Sequence, residues 1–367
     1  MFKHSAKNLL YNQKKMKIAL LTIWRCKNYG AEMQTYATIR ALRELGHEVE
    51  VIDFRLSELI APTFKQRIIQ FLTSINKEDP KFKRFWKSFI PTTRHYKTME
   101  ELQLNPPVAD LYLVGSDQVW NPEITKKKAP VYFLNFGNDD VLRASYASSI
   151  GTAKWEGDEI ITELAKKQLV KFKAVSCREK TGTDALRKVF DIDITTVLDP
   201  TLLHKEYIEL TGKIEQQNTL VYYPLFPFDE LESFCRELAE ELGKDFLNAN
   251  EKKLFLGRLV WDRPSVEEWV RSFAQASLVV TPSFHGLTFS LIYSKQFIIV
   301  QNPDGESKMS RITNLLSELG LEDRLFISIE DARKSKIWTK QIDYAIVEEK
   351  LNILRKKSFD FLNKLEK

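Results

Sequence analysis

Short apolar runs alternate with longer helical stretches along most of this chain. The first run, residues 17–24, predicts a buried strand, and residues 31–45 carry apolar side chains at helical spacing. Gly46 is well placed to end that helix, and residues 49–54 predict the next strand. A strand–helix–strand order of this kind is typical of parallel sheets with crossover helices.

The same alternation continues and predicts two α/β domains, at residues 16–212 and 213–341. Residues 1–15 are expected to be a basic flexible extension, and residues 342–367 a C-terminal helix. The basic stretch 56–105 is predicted to be helical. Six strands are expected in the first domain, the later ones at residues 110–114, 142–147, 174–176 and 195–198. The second domain is expected to hold strands at 220–223, 245–247, 278–281 and 297–301, and helices at 228–242, 265–276, 287–293 and 309–319.

Composition agrees with a globular protein, since 43% of the 367 residues are hydrophobic and 29% are charged. The cysteines Cys26, Cys177 and Cys235 are scattered, which favours a reducing, cytoplasmic setting. Because no cysteines or histidines cluster at metal-ligand spacing, we predict no metal and no cofactor. No apolar run reaches the roughly 18 residues of a membrane span, and the basic N-terminus lacks the pattern of a signal peptide.

The net charge of +5 permits an acidic small substrate or an anionic membrane surface and demands neither. Cations alternate with aromatic residues in the run Lys81-Phe82-Lys83-Arg84-Phe85-Trp86-Lys87. One interpretation is a solvated helix face above a buried aromatic stripe. The other is an interfacial patch that holds the protein at a membrane.

Candidate chemistry follows the predicted strands, because ligands of open α/β sheets bind beyond the carboxyl ends of the strands. The residues at these ends are polar or small, as anion and hydroxyl binding requires. They are Asn28, Tyr29, Gly30, Ser116, Asp117, Trp120, Ser148, Ser149, Arg178, Ser283, His285 and Gly286. The chain lacks the glycine pattern of a dinucleotide site, a phosphate-binding loop of the Walker type and a catalytic serine elbow.

His285 is the sharpest candidate, because it lies at a strand-to-helix turn where backbone N–H groups and the helix dipole favour an anion. The alternative is that Ser283 caps the helix and His285 is packed. Arg178 suits a carboxylate or phosphate, with a surface ion pair to Glu179 as the alternative. Asp117 fits a general base or hydroxyl ligand, or else a turn or N-cap. Arg311 near a helix start is either an anion ligand or an exposed helix position.

These motifs together resemble the polysaccharide pyruvyltransferase family, over about residues 16–325. The resemblance rests on the order of several segments rather than on any one of them. They are Asn28-Tyr29-Gly30-Ala31 with Gln34 and Tyr36, Gly46-His47, Ile52-Asp53, Gly115-Ser116-Asp117-Gln118-Val119-Trp120-Asn121-Pro122, Tyr146-Ala147-Ser148-Ser149-Ile150-Gly151, Ser176-Cys177-Arg178-Glu179, Leu198-Asp199-Pro200-Thr201, Thr281-Pro282-Ser283-Phe284-His285-Gly286 and Arg311.

The resemblance implies a glycosyltransferase-B-like fold of two Rossmann-like domains facing a cleft, with a C-terminal helix that returns to the first domain. It implies transfer of pyruvate from phosphoenolpyruvate to a pair of hydroxyls on a hexose or hexosamine, as a ketal, during surface-glycan synthesis. In relatives the late histidine and basic residues contact the donor, which points to His285 and Arg178. Some relatives have an arginine in this motif where the chain has Ser283-Phe284-His285, which leaves open the residue that holds the donor carboxylate.

We therefore assign catalysis to His285, Asp117 and Arg178, and donor binding to Ser283, His285, Gly286, Arg178 and Arg311. Acceptor binding is assigned to the first domain, at Asn28, Tyr29, Gly30, Gln34, Ser116, Asp117, Trp120, Ser148 and Ser149. The acceptor is expected on a lipid carrier or an oligosaccharide, at the cytoplasmic face of an anionic membrane, with no nucleic acid involved. Two other functions stay open: a nucleotide-sugar glycosyltransferase of the same fold, and a glycan- or partner-binding protein without catalysis.

Overall fold

The computed structural model describes residues 15–55, 79–251, 253–255, 260–302 and 309–366. The predicted N-terminal extension, apart from residue 15, and residues 56–78 of the predicted helical stretch lie outside them. The described residues form two compact units. Unit 1 takes those within Met1–Ala61, Phe89–Leu203 and Leu354–Lys367, and unit 2 takes those within Pro62–Ser88 and His204–Ile353.

The helices and strands follow one another in the alternating order that the sequence predicts. In chain order they are β1 (Lys17–Leu21), α1 (Tyr29–Glu44), β2 (Glu48–Phe54), α2 (Pro80–Phe89), β3 (Thr92–Tyr96), α3 (Met99–Leu104), β4 (Leu111–Val114), α4 (Pro122–Thr125), α5 (Ala129–Tyr132), β5 (Leu142–Ser145), α6 (Glu159–Leu169), β6 (Ser176–Cys177), α7 (Lys180–Phe190), β7 (Thr195–Thr196), α8 (Ile208–Thr211), β8 (Thr219–Tyr222), α9 (Asp229–Glu241), β9 (Asp245–Asn248), β10 (Lys253–Phe255), β11 (Val260–Asp262), α10 (Val266–Gln275), β12 (Leu278–Thr281), α11 (Phe284–Ile292), β13 (Gln296–Val300), α12 (Ser310–Leu319), β14 (Leu325–Phe326), α13 (Ile329–Ser335) and α14 (Tyr344–Asn363).

Unit 1 is built on a parallel five-stranded sheet in the order β3-β2-β1-β4-β5. The central strand β1 is apolar throughout its buried length, as expected of a strand that is covered on both faces. Ile18 of β1 is paired with Val49 on one side and Leu111 on the other. The successive polar loops after β1, β4 and β5 therefore emerge at the same edge of the sheet.

Two predictions for unit 1 are wrong. Residues 92–96 form the edge strand β3 rather than part of a helix, because their backbone pairs with β2 although little of their side-chain surface is buried. Of the six strands expected in the first domain, four join β3 in the five-stranded sheet, whereas β6 and β7 pair with each other and meet that sheet only through isolated bridges. β6 and β7 have two residues each, too few to form a full ladder with β5.

The end of α14 returns to the first unit, which confirms the predicted C-terminal helix. Arg355 Nε donates to the carbonyl oxygen of Leu202 at 2.8 Å, and Ser358 Oγ accepts from the backbone N–H of Leu198 at 2.9 Å. Beyond the helix, Glu366 Oε1 lies 3.1 Å from Nε2 of the buried His47. Bonds of this kind fix the tail on the same segment that carries Asp199.

Unit 2 holds a second parallel sheet, in the order β14-β13-β12-β8-β9, and an antiparallel hairpin of β10 and β11. The short edge strand β14 was not expected from the sequence. Helix α2 belongs to this unit through residue 88, because Asp79 accepts from Arg263 Nε at 3.0 Å and Lys81 Nζ donates to the Arg263 carbonyl at 2.9 Å. Throughout the described part of the chain, every helix is too short or too polar to cross a membrane.

Candidate functional site

The edge of the unit 1 sheet gathers charged side chains around one buried arginine. Arg178 directly follows β6, and Asp199 lies shortly after β7. Nη1 of Arg178 lies 2.8 Å from Oδ2 of Asp199. Its Nη2 lies 3.4 Å from Oδ1 of Asp117, and its Nε lies 3.7 Å from Oε2 of Glu179. The guanidinium therefore faces three carboxylates and has no exposed side-chain surface.

Electrostatics favour a permanently charged Arg178. Burial opposes the charge, but Asp199, Asp117 and Glu179 together outweigh that effect and raise the pKa of the guanidinium. A buried charge of this kind is tolerated because it is paired and hydrogen-bonded. Nη1 and Nη2 lie within hydrogen-bonding distance of Asp199 and Asp117, whereas Nε lies 3.7 Å from Glu179. This arrangement suits a residue that positions the carboxylates around it, and the contact of Arg178 with the donor stays a prediction.

A hydrogen-bonded scaffold surrounds that ion cluster. Ser116 Oγ donates to Asp199 Oδ2 at 3.0 Å, while Oδ1 of Asp199 accepts from the backbone N–H and hydroxyl of Thr201 at 3.0 and 2.7 Å. Ser149 Oγ donates to Oε1 of Glu179 at 2.7 Å. Asp199 and Thr201 are not among the site residues expected from the sequence. Their position directly after a strand was the available signal.

Asp117 is the member of the cluster that reaches the surface. Its side chain is 16% exposed, whereas the side chains of Arg178 and Asp199 are fully buried. Its backbone has φ of 73°, a left-handed conformation that few residues other than glycine adopt. Strained positions of this kind recur at functional sites, where the surrounding structure holds them in place. The carbonyl of Asp117 accepts from the N–H of Val119 and of Ser149, at 2.8 and 3.0 Å.

Four predicted acceptor ligands lie inside unit 1 and support its loops instead. Gln34 Nε2 donates to Thr22 Oγ1 at 2.9 Å, and Trp120 Nε1 donates to the carbonyl of Tyr132 at 2.9 Å. Ser148 Oγ donates to the carbonyl of Gly115 at 2.9 Å, and Ser149 is held by Glu179 as described. All four are buried. Each of the four thus donates a hydrogen bond within unit 1, and its contact with an acceptor stays a prediction.

The Asn28-Tyr29-Gly30 segment forms the start of helix α1. Asn28 is the N-cap residue, and its Oδ1 accepts from the backbone N–H of Gly30 at 3.0 Å and of Ala31 at 3.4 Å. Tyr29 and Gly30 are buried in the first turn. The side-chain oxygen of Asn28 therefore already accepts hydrogen bonds from N–H groups of the first turn, which would otherwise be suited to an oxygen of the sugar.

The helix start in unit 2 is built differently. Ser283 occupies the N-cap position of α11 in an extended conformation, yet its side chain accepts no hydrogen bond from the first turn. The capping alternative for Ser283 is thereby excluded. The first N–H groups of a helix have no acceptor within the helix, and the helix dipole adds partial positive charge there. This end of α11 is suited to an anion such as phosphate.

Gly286 lets this helix start approach strand β12. A Cβ atom at Gly286 would lie 2.3 Å from Oγ1 and 2.7 Å from Cγ2 of Thr281, closer than real contacts allow. Thr281 Oγ1 in turn donates to the carbonyl of Tyr223 at 2.6 Å and accepts from the N–H of Ser283 at 3.0 Å. Gly286 therefore sets the position of the turn.

His285 lies in the first turn of α11 and is 8% exposed. Its ring packs edge-on to Phe284, with centroids 5.4 Å apart. The guanidinium carbon of Arg311, near the start of α12, lies 5.5 Å from the centroid of the Phe284 ring. Ser283, His285 and Gly286 thus lie together at the start of α11, and both the imidazole of His285 and the guanidinium of Arg311 lie beside the ring of Phe284.

Two solved structures resemble the chain in fold. The UDP-GlcNAc 2-epimerase of Neisseria meningitidis bound to UDP-GlcNAc is 10% identical and has a TM-score of 0.51, covering 95% of this chain and 99% of that chain. The S. aureus MnaA–UDP co-structure is 10% identical and has a TM-score of 0.52, covering 91% and 90%. No protein with a curated description matches the chain.

Two Rossmann-like units with parallel sheets, together with these likenesses, define an α/β protein of the glycosyltransferase-B-like, two-domain class. A sequence model of one family, described as polysaccharide pyruvyl transferase, matches residues 28–304. The chain belongs to the polysaccharide pyruvyl transferase family. The matched residues include Asp117, Arg178 and His285.

Proposed function

We propose that this protein transfers pyruvate from phosphoenolpyruvate to two hydroxyls of a sugar in a surface glycan, forming a ketal. The single observation that carries the donor assignment is the uncapped start of α11, where His285 lies in the first turn. Family membership supports a transferase that acts on a sugar-containing acceptor. The helix start, where Ser283 makes no side-chain cap, supports the assignment of a phosphate site there.

The donor has two anionic groups, and unit 2 has two features that complement them. The phosphate would be bound by the N–H groups at the start of α11 and by His285, which can donate a hydrogen bond or a proton. Arg311 lies beside Phe284 and carries the planar guanidinium that suits a carboxylate. We assign the donor carboxylate to Arg311 because the donors of Arg178 face Asp199, Asp117 and Glu179.

We assign the general base to Asp117 in unit 1. Its carboxylate reaches the surface, and Arg178 holds Oδ1 from the buried side at 3.4 Å. A base held in one orientation can accept a hydroxyl proton without first losing side-chain freedom. Arg178 therefore acts through Asp117, as a positioning residue.

The reaction balances without a redox step. A proton adds to the methylene carbon of phosphoenolpyruvate, which becomes a methyl group, and the first sugar hydroxyl adds to C2 with loss of its proton. The bond from C2 to the phosphate oxygen breaks, and the second hydroxyl adds to C2 and loses its proton. The products are the ketal and inorganic phosphate, and cationic groups at α11 would stabilise the leaving phosphate.

Thermal melting of the purified protein tests the class of donor. A ligand that binds the native state raises stability by RT ln(1 + [L]/Kd), about 2.7 kcal/mol at 100 times Kd. Phosphoenolpyruvate should raise the melting temperature, and a panel of nucleotide sugars should not. A shift with one nucleotide sugar alone would favour a glycosyltransferase. Binding of oligosaccharide with no phosphate release from any donor would favour a protein without catalysis.

We also propose a weak electrostatic contact with anionic membranes through α2. Lys83, Arg84 and Lys87 are exposed, whereas Phe82, Phe85 and Trp86 are buried in the protein. The aromatic side chains are thus used in packing, and the attraction would depend on charge alone. Flotation with vesicles that contain phosphatidylserine should decrease when the three cations are changed to Glu. Equal flotation of the wild-type protein and the triple variant would contradict the proposed membrane contact.

A further inference from the structure

A cavity of about 290 Å³ lies in unit 2, away from the start of α11. It is found beyond the carboxyl end of the edge strand β9, on the side of a parallel sheet where ligands bind. Its size is near the lower end of small-ligand sites, which suits one ring rather than an extended chain. It is lined by residues of α2, β9 and α10, including Lys81, Leu247 and Glu268, and by Glu251, Arg263 and Pro264 from the segments between β9 and α10.

The charges that line this pocket balance. Lys81 and Arg263 supply two cations, and Glu251 and Glu268 supply two carboxylates. Lys81 Nζ lies 3.4 Å from Oε2 of Glu268, and Arg263 Nε lies 3.0 Å from Oδ2 of Asp79. A pocket that binds a phosphate or carboxylate has an excess of cations. The balanced lining instead favours a neutral ligand.

The lining also alternates between apolar and hydrogen-bonding surfaces. Leu247, Ala249 and Pro264 present apolar atoms, while Glu251 and Glu268 carry carboxylate groups. A sugar ring has the matching character, with hydroxyls around its edge and C–H groups on its faces. The neutral ligand that fits both surfaces is therefore a saccharide.

Two contacts fix the polar groups in advance. Glu268 Oε2 accepts from the backbone N–H of Ser265 at 2.6 Å, and Ser265 Oγ accepts from the N–H of Glu268 at 3.1 Å, a reciprocal capping box at the start of α10. Asn248 Nδ2 donates to Oε2 of Glu232 at 2.9 Å. Side chains held in this way lose little freedom when a ligand binds, which favours affinity.

The floor of the pocket is packed against the proposed donor helix. Trp269, fully buried in α10, lies 5.1 Å from the ring centroid of Tyr223 and 4.7 Å from that of Phe289. Phe289 belongs to α11, the helix that begins at Ser283. The pocket and the start of α11 thus share one rigid aromatic layer within unit 2.

We propose that this pocket binds one neutral sugar ring of the acceptor glycan, remote from the ring that receives pyruvate. The sugar site itself stands on the cavity and its lining, and its role as an acceptor subsite rests on the proposed function. Unit 2 would then take part in acceptor recognition.

Saturation-transfer NMR with glucose, galactose and N-acetylglucosamine, each at about ten millimolar, tests the proposal. Wild-type protein should transfer signal to at least one of these sugars, and Leu247→Trp should abolish the transfer by filling the pocket. The matched control is Leu142→Trp. Leu142 lies in the edge strand β5 as Leu247 lies in the edge strand β9, and the two leucines are similarly exposed, at 37% and 38%. The control should keep the signal.

No transfer with wild-type protein, or undiminished transfer with Leu247→Trp, would overturn the sugar site. The change in melting temperature caused by phosphoenolpyruvate should be measured on the same proteins. It distinguishes failure of the sugar site from failure of the proposed function. The donor shift should be equal in wild-type, Leu247→Trp and Leu142→Trp proteins. Sugar binding that is lost in Leu247→Trp, with no donor shift in any protein, would retain the pocket and reject phosphoenolpyruvate as the donor.

Discussion

The two sheet edges of this protein carry similar residues and use them in opposite ways. In unit 1 the guanidinium of Arg178 faces three carboxylates of the same unit, those of Asp199, Asp117 and Glu179. In unit 2 the helix at Ser283 begins without a side-chain cap. A polar residue at a strand end is therefore not by itself evidence of a ligand site, because its partner can lie within the protein.

The largest expected effect concerns the ion cluster of unit 1. Arg178→Met would leave buried carboxylates without their cation, and we expect the free energy of unfolding to fall by about 3–5 kcal/mol in urea titrations. Arg40→Met is the control, because Arg40 pairs with Glu44 on the surface of α1 and should change stability by less than about 1 kcal/mol. If the free energy of unfolding fell by the same small amount in both variants, the ion pairs of Arg178 would not be important for stability.

Lys295 is a second buried cation and can be compared with Arg178, because its hydrogen-bond partner is a neutral amide and not a carboxylate. Lys295 Nζ donates to Oε1 of Gln216 at 2.5 Å, and burial lowers its pKa to about 8 from 10.5. Between those values the unfolded chain binds more protons than the native protein, so the free energy of unfolding rises with pH. Below pH 8 both states carry the charge, and the native state bears the full cost of burying it.

Lys295→Met should therefore stabilise the protein at pH 7, by on the order of 3 kcal/mol, with the gain vanishing above about pH 10.5. Urea titrations at several pH values between 7 and 11 would measure it. A gain that is independent of pH would mean that packing, rather than the charge, explains the difference.

The close approach of α11 to β12 predicts the next effect. Gly286→Ala places a Cβ atom against Thr281, and we expect a loss of about 1–3 kcal/mol in the free energy of unfolding. Adding Thr281→Ala removes two of the three nearest atoms, so the double variant should lose less than the sum of the two single losses. Strict additivity would contradict the contact.

The smallest effect compares two N-cap serines in unit 2. Ser265 takes part in a capping box, whereas the side chain of Ser283 accepts nothing from its helix. Ser265→Ala should cost about 1 kcal/mol of stability, and Ser283→Ala only a few tenths. Equal losses in thermal or urea unfolding would mean that Ser283 caps α11 in solution.

Much of the fold could be predicted because the central strands are continuous apolar runs between recognisable helices. β12 begins and ends at the predicted residues, and β1 begins where expected. β3 could not be found in this way, since its residues Thr92–Tyr96 bury only Tyr96 fully and are defined by backbone pairing with β2.

The residue types at the strand ends could be predicted from the sequence, but the partners of their side chains could not. An arginine after a strand suggests an anion ligand, but the sequence does not show that Asp199, 21 residues later, supplies the anion. Trp120 is similar, because its apolar burial and its bond to the Tyr132 carbonyl arise from packing across the unit. Residue type indicates what a side chain can bind, whereas only the fold shows which partner it has.

The donor site is tested most directly by melting wild-type, His285→Ala and Asp117→Asn proteins with and without phosphoenolpyruvate. The account predicts a rise in melting temperature for wild-type protein and for Asp117→Asn, and little or no rise for His285→Ala. Asp117→Asn should bind the donor but release phosphate about 100- to 10,000-fold more slowly when a glycan acceptor is present. An undiminished shift in His285→Ala would contradict the placement of the donor phosphate at the start of α11.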